Sequence, residues 1–379
     1  MKRYILIIYT ALFLVFGFFV LYTTQHIGGP GSFSPPVFYA RLCLCILCIA
    51  VLLKLLHAAI KINFTERVKK YGIIAIAMLF FLLLTEMIFM FVSRSFGTPY
   101  SLADQNWARH YWHPINTLGY SDYEVTSEKS GGQKNILILG SSYTAGDGIK
   151  NIEDRFSDRL QKLLPDNYHV YNLGYCGSGT ADAYERLMEF PVKPDILVLT
   201  HTSKSINDVA GAKNQLKGGN YRIDMQYGLL TGFIVGNSYL INYLFWKYYA
   251  PQKLFDKYLE NINDNPILLY LQKEPLNRHL SDLMKFIDYS KRDSIPLLAI
   301  SFPSLNNTIA FSQMIVCAPV EIFFEEQDIP VISVYGLVKD IPASGRTVNS
   351  NDAHPSVLVH QLIADELYKI LTENKLIIN

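Results

Sequence analysis

The chain has 379 residues, half of them hydrophobic, with 34 basic against 33 acidic residues and a formal charge of +1. That balance leaves no basic footprint for nucleic acid, and five scattered cysteines do not make a disulfide scaffold. The length suits one membrane region plus one sizeable domain, because the apolar excess is gathered in about the first ninety residues.

Three apolar stretches, 4–22, 37–60 and 73–92, reach the roughly 20 residues that a bilayer crossing needs. Lys2 and Arg3 precede the first, the link 23–36 carries no Lys or Arg, and the next link carries Lys61, Arg67, Lys69 and Lys70. By the positive-inside rule the N-terminus and the second link are cytoplasmic, and everything after Val92 is outside. The first stretch also reads as a signal sequence, although no small-x-small cleavage site precedes Gly28; the domain ends outside under either reading. Arg41 and Glu86 are charges within the spans, expensive there unless they pair with each other or reach the interface separately. Cys43, Cys45 and Cys48 have no nearby His or acid to complete a metal site and read as packed small hydrophobes.

Residues 1–95 are therefore the membrane region and 96–134 a juxtamembrane linker. Trp107, Tyr111 and Trp112, with Arg109, His110 and His113, give that linker the character of a membrane interface. His110 and His113 have a spacing that could ligate a metal, but an interfacial loop is the preferred reading.

From 135 to 379 strand-like and helix-like runs alternate. Ile136–Leu139, Val170–Leu173, Asp195–Thr200, Pro296–Ser301 and Ile329–Val334 read as buried strands. Helices are expected from about 153 to 159, at Ala181–Glu189, Leu276–Arg292 and Ser356–Leu371. This is an α/β pattern, a doubly wound parallel sheet with helices on both faces. Residues 211–275, with an aromatic-rich helix near Ser238–Tyr249, break the alternation and read as an insertion or lid.

In such sheets ligands gather at the carboxyl ends of the strands. The first strand runs into Gly140-Ser141-Ser142-Tyr143-Thr144-Ala145-Gly146, a tight turn that suits a serine nucleophile. It lacks the Gly-Lys-Ser/Thr of a phosphate loop, and Thr144 stands where a lipase-type elbow would have glycine. Asn172 and Gly174 end the second strand, His201 ends the third, Asn207 and Asp208 follow it, and Asp352-Ala353-His354-Pro355 precedes the last helix. One serine, one amide, a glycine N–H and an Asp-x-His are the inventory for acyl transfer. Ser142 would be the nucleophile, His354 its base and Asp352 the group that orients the imidazole, preferred to the uncharged Asn351. The Ser142 and Gly174 N–H groups with the Asn207 amide would hold the oxyanion. Cys176 reads as a packed residue rather than a second nucleophile.

These blocks resemble the SGNH (GDSL-type) hydrolases over about 135–379. Gly140 to Gly146 is similar to the family's Gly-Asp-Ser-x-Thr-x-Gly, and Asn172-Leu173-Gly174-Tyr175-Cys176-Gly177 to its Asn-x-Gly-x-x-Gly. Ser205-Ile206-Asn207-Asp208 looks like Gly-x-Asn-Asp, and Asp352-Ala353-His354-Pro355 like the final Asp-x-His block. Upstream, Asn116–Asp122 resembles a segment that precedes the first block in membrane-tethered members. Ser141 and Ser205 depart from the pattern, replacing an Asp and a Gly. The resemblance implies a flavodoxin-like SGNH domain and the same site residues, with no cofactor or metal. Together with the spans and their charge bias, the expectation is a membrane-anchored extracytoplasmic esterase acting on O-acyl, for example acetyl, esters of envelope glycan or lipid. An O-acyltransferase to a cell-envelope polysaccharide, served by a partner protein, is one alternative. A non-catalytic binding or scaffold module is the other; Ser141 and Ser205 favour it, and the intact Ser142, Asp352 and His354 oppose it.

Overall fold

The computed structural model describes residues 35–61, 65–98, 100–125, 132–209, 229–250 and 266–377. They fall into two units, Met1–Arg109 with Asn220–Gln252, and His110–Gly219 with Lys253–Asn379. The insertion expected at 211–275 is thus shared, its middle part belonging with the N-terminal helices.

In the first unit, α1 (Pro35–Lys61) and α2 (Glu66–Phe89) are packed on one another and are long and apolar enough to cross a membrane. The stretch 4–22 lies outside the described residues. Helix α3 (Leu102–Tyr111) follows, its N-terminal turn held by the Asn242 side chain, which accepts the Leu102 N–H at 2.9 Å.

The second unit is built on β1 (Lys134–Gly140), β2 (Tyr168–Gly174), β3 (Ile196–His201), β4 (Leu297–Ser301) and β5 (Val331–Ser333). All pair in parallel, in the order β2-β1-β3-β4-β5. Ile136, Leu137, Ile138 and Leu139 are fully buried, because alternate side chains of β1 feed two separate cores. Ile136 and Ile138 meet Phe156 and Leu160 of α4 (Phe156–Leu163) and Val359, Ile363 and Leu367 of the closing helix. Leu137 and Leu139 join the core that holds Ala183 and Leu187 of α5 (Thr180–Glu189).

In the chain, α6 (Leu229–Asn237) and α7 (Tyr239–Leu244) come next and belong to the first unit. Helices α8 (Lys273–Asp293) and α9 (Ala318–Glu325) add Phe286, Ile287, Val320 and Phe324 to the core shared with α5. Helix α10 (Val357–Glu373) closes the fold, with the Ser356 hydroxyl accepting the Val359 N–H.

Three expectations shift. The helix expected from about 153 begins at Phe156, after a 3-10 turn at Ile152–Asp154, because Arg155 is extended and buried. Its guanidinium bonds Asp122, Asp158 and the Ser121 and Ala145 carbonyls. Asp122 lay in the expected linker, which therefore supplies part of this unit. Arg41 and Glu86 do not pair with each other among the described residues. The Glu86 carboxylate instead accepts the Ser238 hydroxyl at 2.8 Å and the Tyr239 and Leu240 amides, closing the N-terminus of α7. Arg41 lies against the Tyr239 ring, 5.9 Å from its centroid.

Candidate active site

In the order β2-β1-β3-β4-β5, the chain leaves β1 and β3 to opposite sides of the sheet, so their carboxyl ends flank a crevice. Ser142 follows β1 and Asn207 follows β3. Ser142 opens a single helical turn, Ser142–Ala145, after an extended Ser141. The turn is fitted tightly to the sheet. The Thr144 and Thr200 hydroxyls share a 2.6 Å hydrogen bond directly over Gly140, where a Cβ would lie 1.8 Å from the Thr200 oxygen. Gly174 is equally constrained, since a Cβ there would stand 2.2 Å from the Ala145 nitrogen.

Asp352 and His354 lie on β7 (Asp352–Pro355), which pairs antiparallel with β6 (Thr347–Asn349). Residues two apart on a strand share a face, which is what an Asp-x-His spacing needs. His354 Nε2 is 2.9 Å from Ser142 Oγ, and His354 Nδ1 is 2.6 Å from Asp352 Oδ1. The same Asp352 oxygen accepts the His354 backbone N–H at 3.1 Å. With the buried Asp352 side-chain oxygen accepting at Nδ1, the hydrogen sits there and Nε2 offers its lone pair to the Ser142 hydroxyl. Tyr143 holds the ring from the side, its ring centroid 5.3 Å from the imidazole centroid and its hydroxyl donating to the Ala353 carbonyl at 3.3 Å.

Asn207 is half-buried in the 3-10 helix Ser203–Asp208, and its amide has no partner among the described residues. Ser205, the unexpected serine of this block, accepts the Thr202 N–H at 3.0 Å while Thr202 accepts the Lys204 N–H, a reciprocal cap that shapes the turn. Asp208 accepts the Asp182 N–H at the start of α5.

Gly174 differs from expectation. Its N–H donates to Asn172 Oδ1 at 2.9 Å, so it is not presented to an oxyanion. Gly177, the second glycine of the block, lies in the exposed turn after β2 with φ +81°. His201 is buried beside Tyr270 and His279, its ring centroid 5.3 Å from that of His279, and burial pushes it down to about 4. It is a core residue of the β3 end. Cys176 is exposed, its sulfur 4.0 Å from Asp147. Asp147 itself stands 3.6 Å from His354 Nε2 and was not singled out by any sequence block. His113 Nε2 lies 3.0 Å from the His110 carbonyl, and no group of side chains suited to a metal ion occurs among the described residues.

No family model matches this sequence. No curated protein matches it either. The solved structures that it resembles are consistently lipolytic proteins and esterases of the SGNH, or GDSL, kind. They include a member of the lipolytic G-D-S-L family from Veillonella parvula, at 12% identity and a TM-score of 0.37, over 63% of this chain and 98% of that one. A psychrotrophic esterase from a Pseudoalteromonas species has 14% identity and a TM-score of 0.37, over 64% and 98%. A lipase/acylhydrolase from Enterococcus faecalis has 12% identity and a TM-score of 0.36, over 64% and 97%. At such scores the likeness says nothing about chemistry.

Proposed function

We propose that the chain is a serine-dependent carboxylic-ester hydrolase of the SGNH type. The observation that carries this is the unbroken line from Ser142 Oγ through the His354 ring to Asp352, with 2.9 Å and 2.6 Å contacts. His354 Nε2 takes the hydroxyl proton as Ser142 Oγ bonds to the ester carbonyl carbon, and the imidazolium forms beside Asp352. The tetrahedral intermediate collapses, the alcohol leaves with the Nε2 proton, and acyl-Ser142 remains. Water then gives its proton to Nε2 and its oxygen to the acyl carbon, releasing the acid and restoring the serine. The oxyanion would be held by the Ser142 N–H, at the first position of its turn, and by the Asn207 amide.

The proposed setting is a membrane-anchored protein with this domain on the extracytoplasmic side. Two helices with the length and composition of spans and the basic link between them support it. Substrates of the class O-acyl glycan or lipid ester fit that setting. The test uses the full chain in detergent with p-nitrophenyl acetate, beside Ser142→Ala and His354→Ala. Release of nitrophenolate that persists in Ser142→Ala would defeat the proposal; loss of at least about a thousandfold is expected.

A further inference from the structure

We infer that Asp147 is a positioning residue for this reaction, a second carboxylate that stabilises the His354 imidazolium from the Nε2 side. The inference rests on the acyl-serine reading above and deepens it. The loop that carries Asp147 is built to bring it there. Gly146 and Gly148 flank it with φ of +80° and +86°, conformations that fold the backbone back on itself. The Asp147 N–H donates to the Ser142 carbonyl at 3.0 Å, which ties the loop to the nucleophile's own turn. On the other side, a Cβ at Gly148 would lie 2.9 Å from Asp352 Oδ2, so the loop is also pressed against the triad acid. Between these two anchors Asp147 Oδ2 reaches 3.6 Å from His354 Nε2 and stays partly open, at 22% side-chain exposure.

That distance is outside a hydrogen bond while Ser142 Oγ occupies Nε2 at 2.9 Å. Once Oγ has given its proton to Nε2 and bonded to the acyl carbon, Asp147 is the carboxyl group on that side of the ring; burial pushes Asp147 up, and the charge on His354 pulls it back down. His354 thus has a carboxylate at each ring nitrogen in its charged state. Burial opposes that charge, yet Asp147 and then Asp352 outweigh it and hold the imidazole above its ordinary value. Lys204, from the 3-10 helix after β3, pulls in the opposite direction. The other titratable neighbours are the Tyr143 ring, Cys176 beside Asp147, and His360 on α10, which burial keeps neutral.

The experiment measures the rate at which a fluorophosphonate probe labels Ser142 of the full chain as a function of pH. Labelling needs His354 as a free base, so its half-point follows the imidazole and no natural substrate is required. Removing the Asp147 charge lowers the imidazole's proton affinity, and the half-point is expected to move to lower pH by about one unit in Asp147→Asn. Asp147→Ala should move it the same way, and Lys204→Gln the opposite way. The position of the half-point is independent of how much folded protein a variant yields. A half-point unmoved in both Asp147 variants while labelling proceeds overturns the inference alone. Absence of Ser142 labelling in the wild-type chain overturns the hydrolase reading and this inference with it.

Discussion

The side-chain oxygen of Asn172 accepts the backbone N–H of Gly174 at 2.9 Å, at the last step of β2. The Asn172 amide group donates to the Thr144 carbonyl and to the Ser157 hydroxyl, both at 2.8 Å. One buried amide therefore ties the end of β2 to the turn that carries Ser142 and to α4. Gly174→Ala should show how tight this joint is, because the added Cβ meets the Ala145 nitrogen and Cα, backbone atoms that carry Ser142 with them. The expected loss is about 1–3 kcal/mol of stability, with esterase activity falling further than stability. An unchanged denaturation midpoint would contradict the packing described.

Ser205→Ala removes the hydroxyl that accepts the Thr202 N–H. A lost cap of this kind costs about 1 kcal/mol. The turn also carries Asn207, so kcat is expected to drop while KM changes little. Thermal melting and ester turnover together check this; a stable variant with full kcat would separate the cap from the site.

Burial holds His360 neutral and down to about 3, with its Nδ1 accepting the Phe156 N–H at 3.2 Å. In the unfolded chain the ring titrates near 6.5, so below that pH the unfolded state binds a proton that the folded state refuses. Stability is therefore complete above about 6.5 and is lost progressively as pH falls toward 3. His201 acts in the same direction. His360→Gln, which keeps an acceptor for Phe156, should reduce the fall in melting temperature between pH 7 and pH 5. An identical fall in both proteins would rule out this linkage.

Glu86→Ala leaves the Tyr239 and Leu240 amides without their acceptor. Loss of a buried partner costs about 1–3 kcal/mol. The segment Leu229–Tyr249 should then become sensitive to proteolysis in detergent, with Glu86→Gln intermediate. Equal resistance in all three proteins would show that the carboxylate does not hold this segment.

Strands β1 to β4 are legible in the sequence because each is buried on both faces and reads as an apolar run. A tight turn marks Ser142 and an Asp-x-His spacing marks Asp352 and His354 in the sequence, and the structure brings these three side chains together. The strand that places Asp352 and His354 is not legible, since Asp352-Ala353-His354-Pro355 has no apolar alternation and pairs only with the short Thr347–Asn349. Gly174 misled for a different reason: a motif shows which glycines are present but not where each N–H points. Asp147 stood next to a recognised block, and only the two left-handed glycines around it reveal that it turns back to the imidazole. Partners far apart in the chain, such as Glu86 with Ser238 or Asp122 with Arg155, leave no local pattern at all.

Arg155 also decides where the second unit starts. Its buried guanidinium is met by Ser121 and Asp122, and Asp122 in turn accepts the Asn172 N–H at 2.8 Å. Cutting the chain at the first strand would remove one of the two carboxylates that meet the buried Arg155, leaving Asp158, and would leave the Asn172 N–H without its acceptor. A shortened form that keeps this unit intact must therefore retain the residues from about Asn116 onward, so the part of the expected linker that can be dispensed with ends before Asn116.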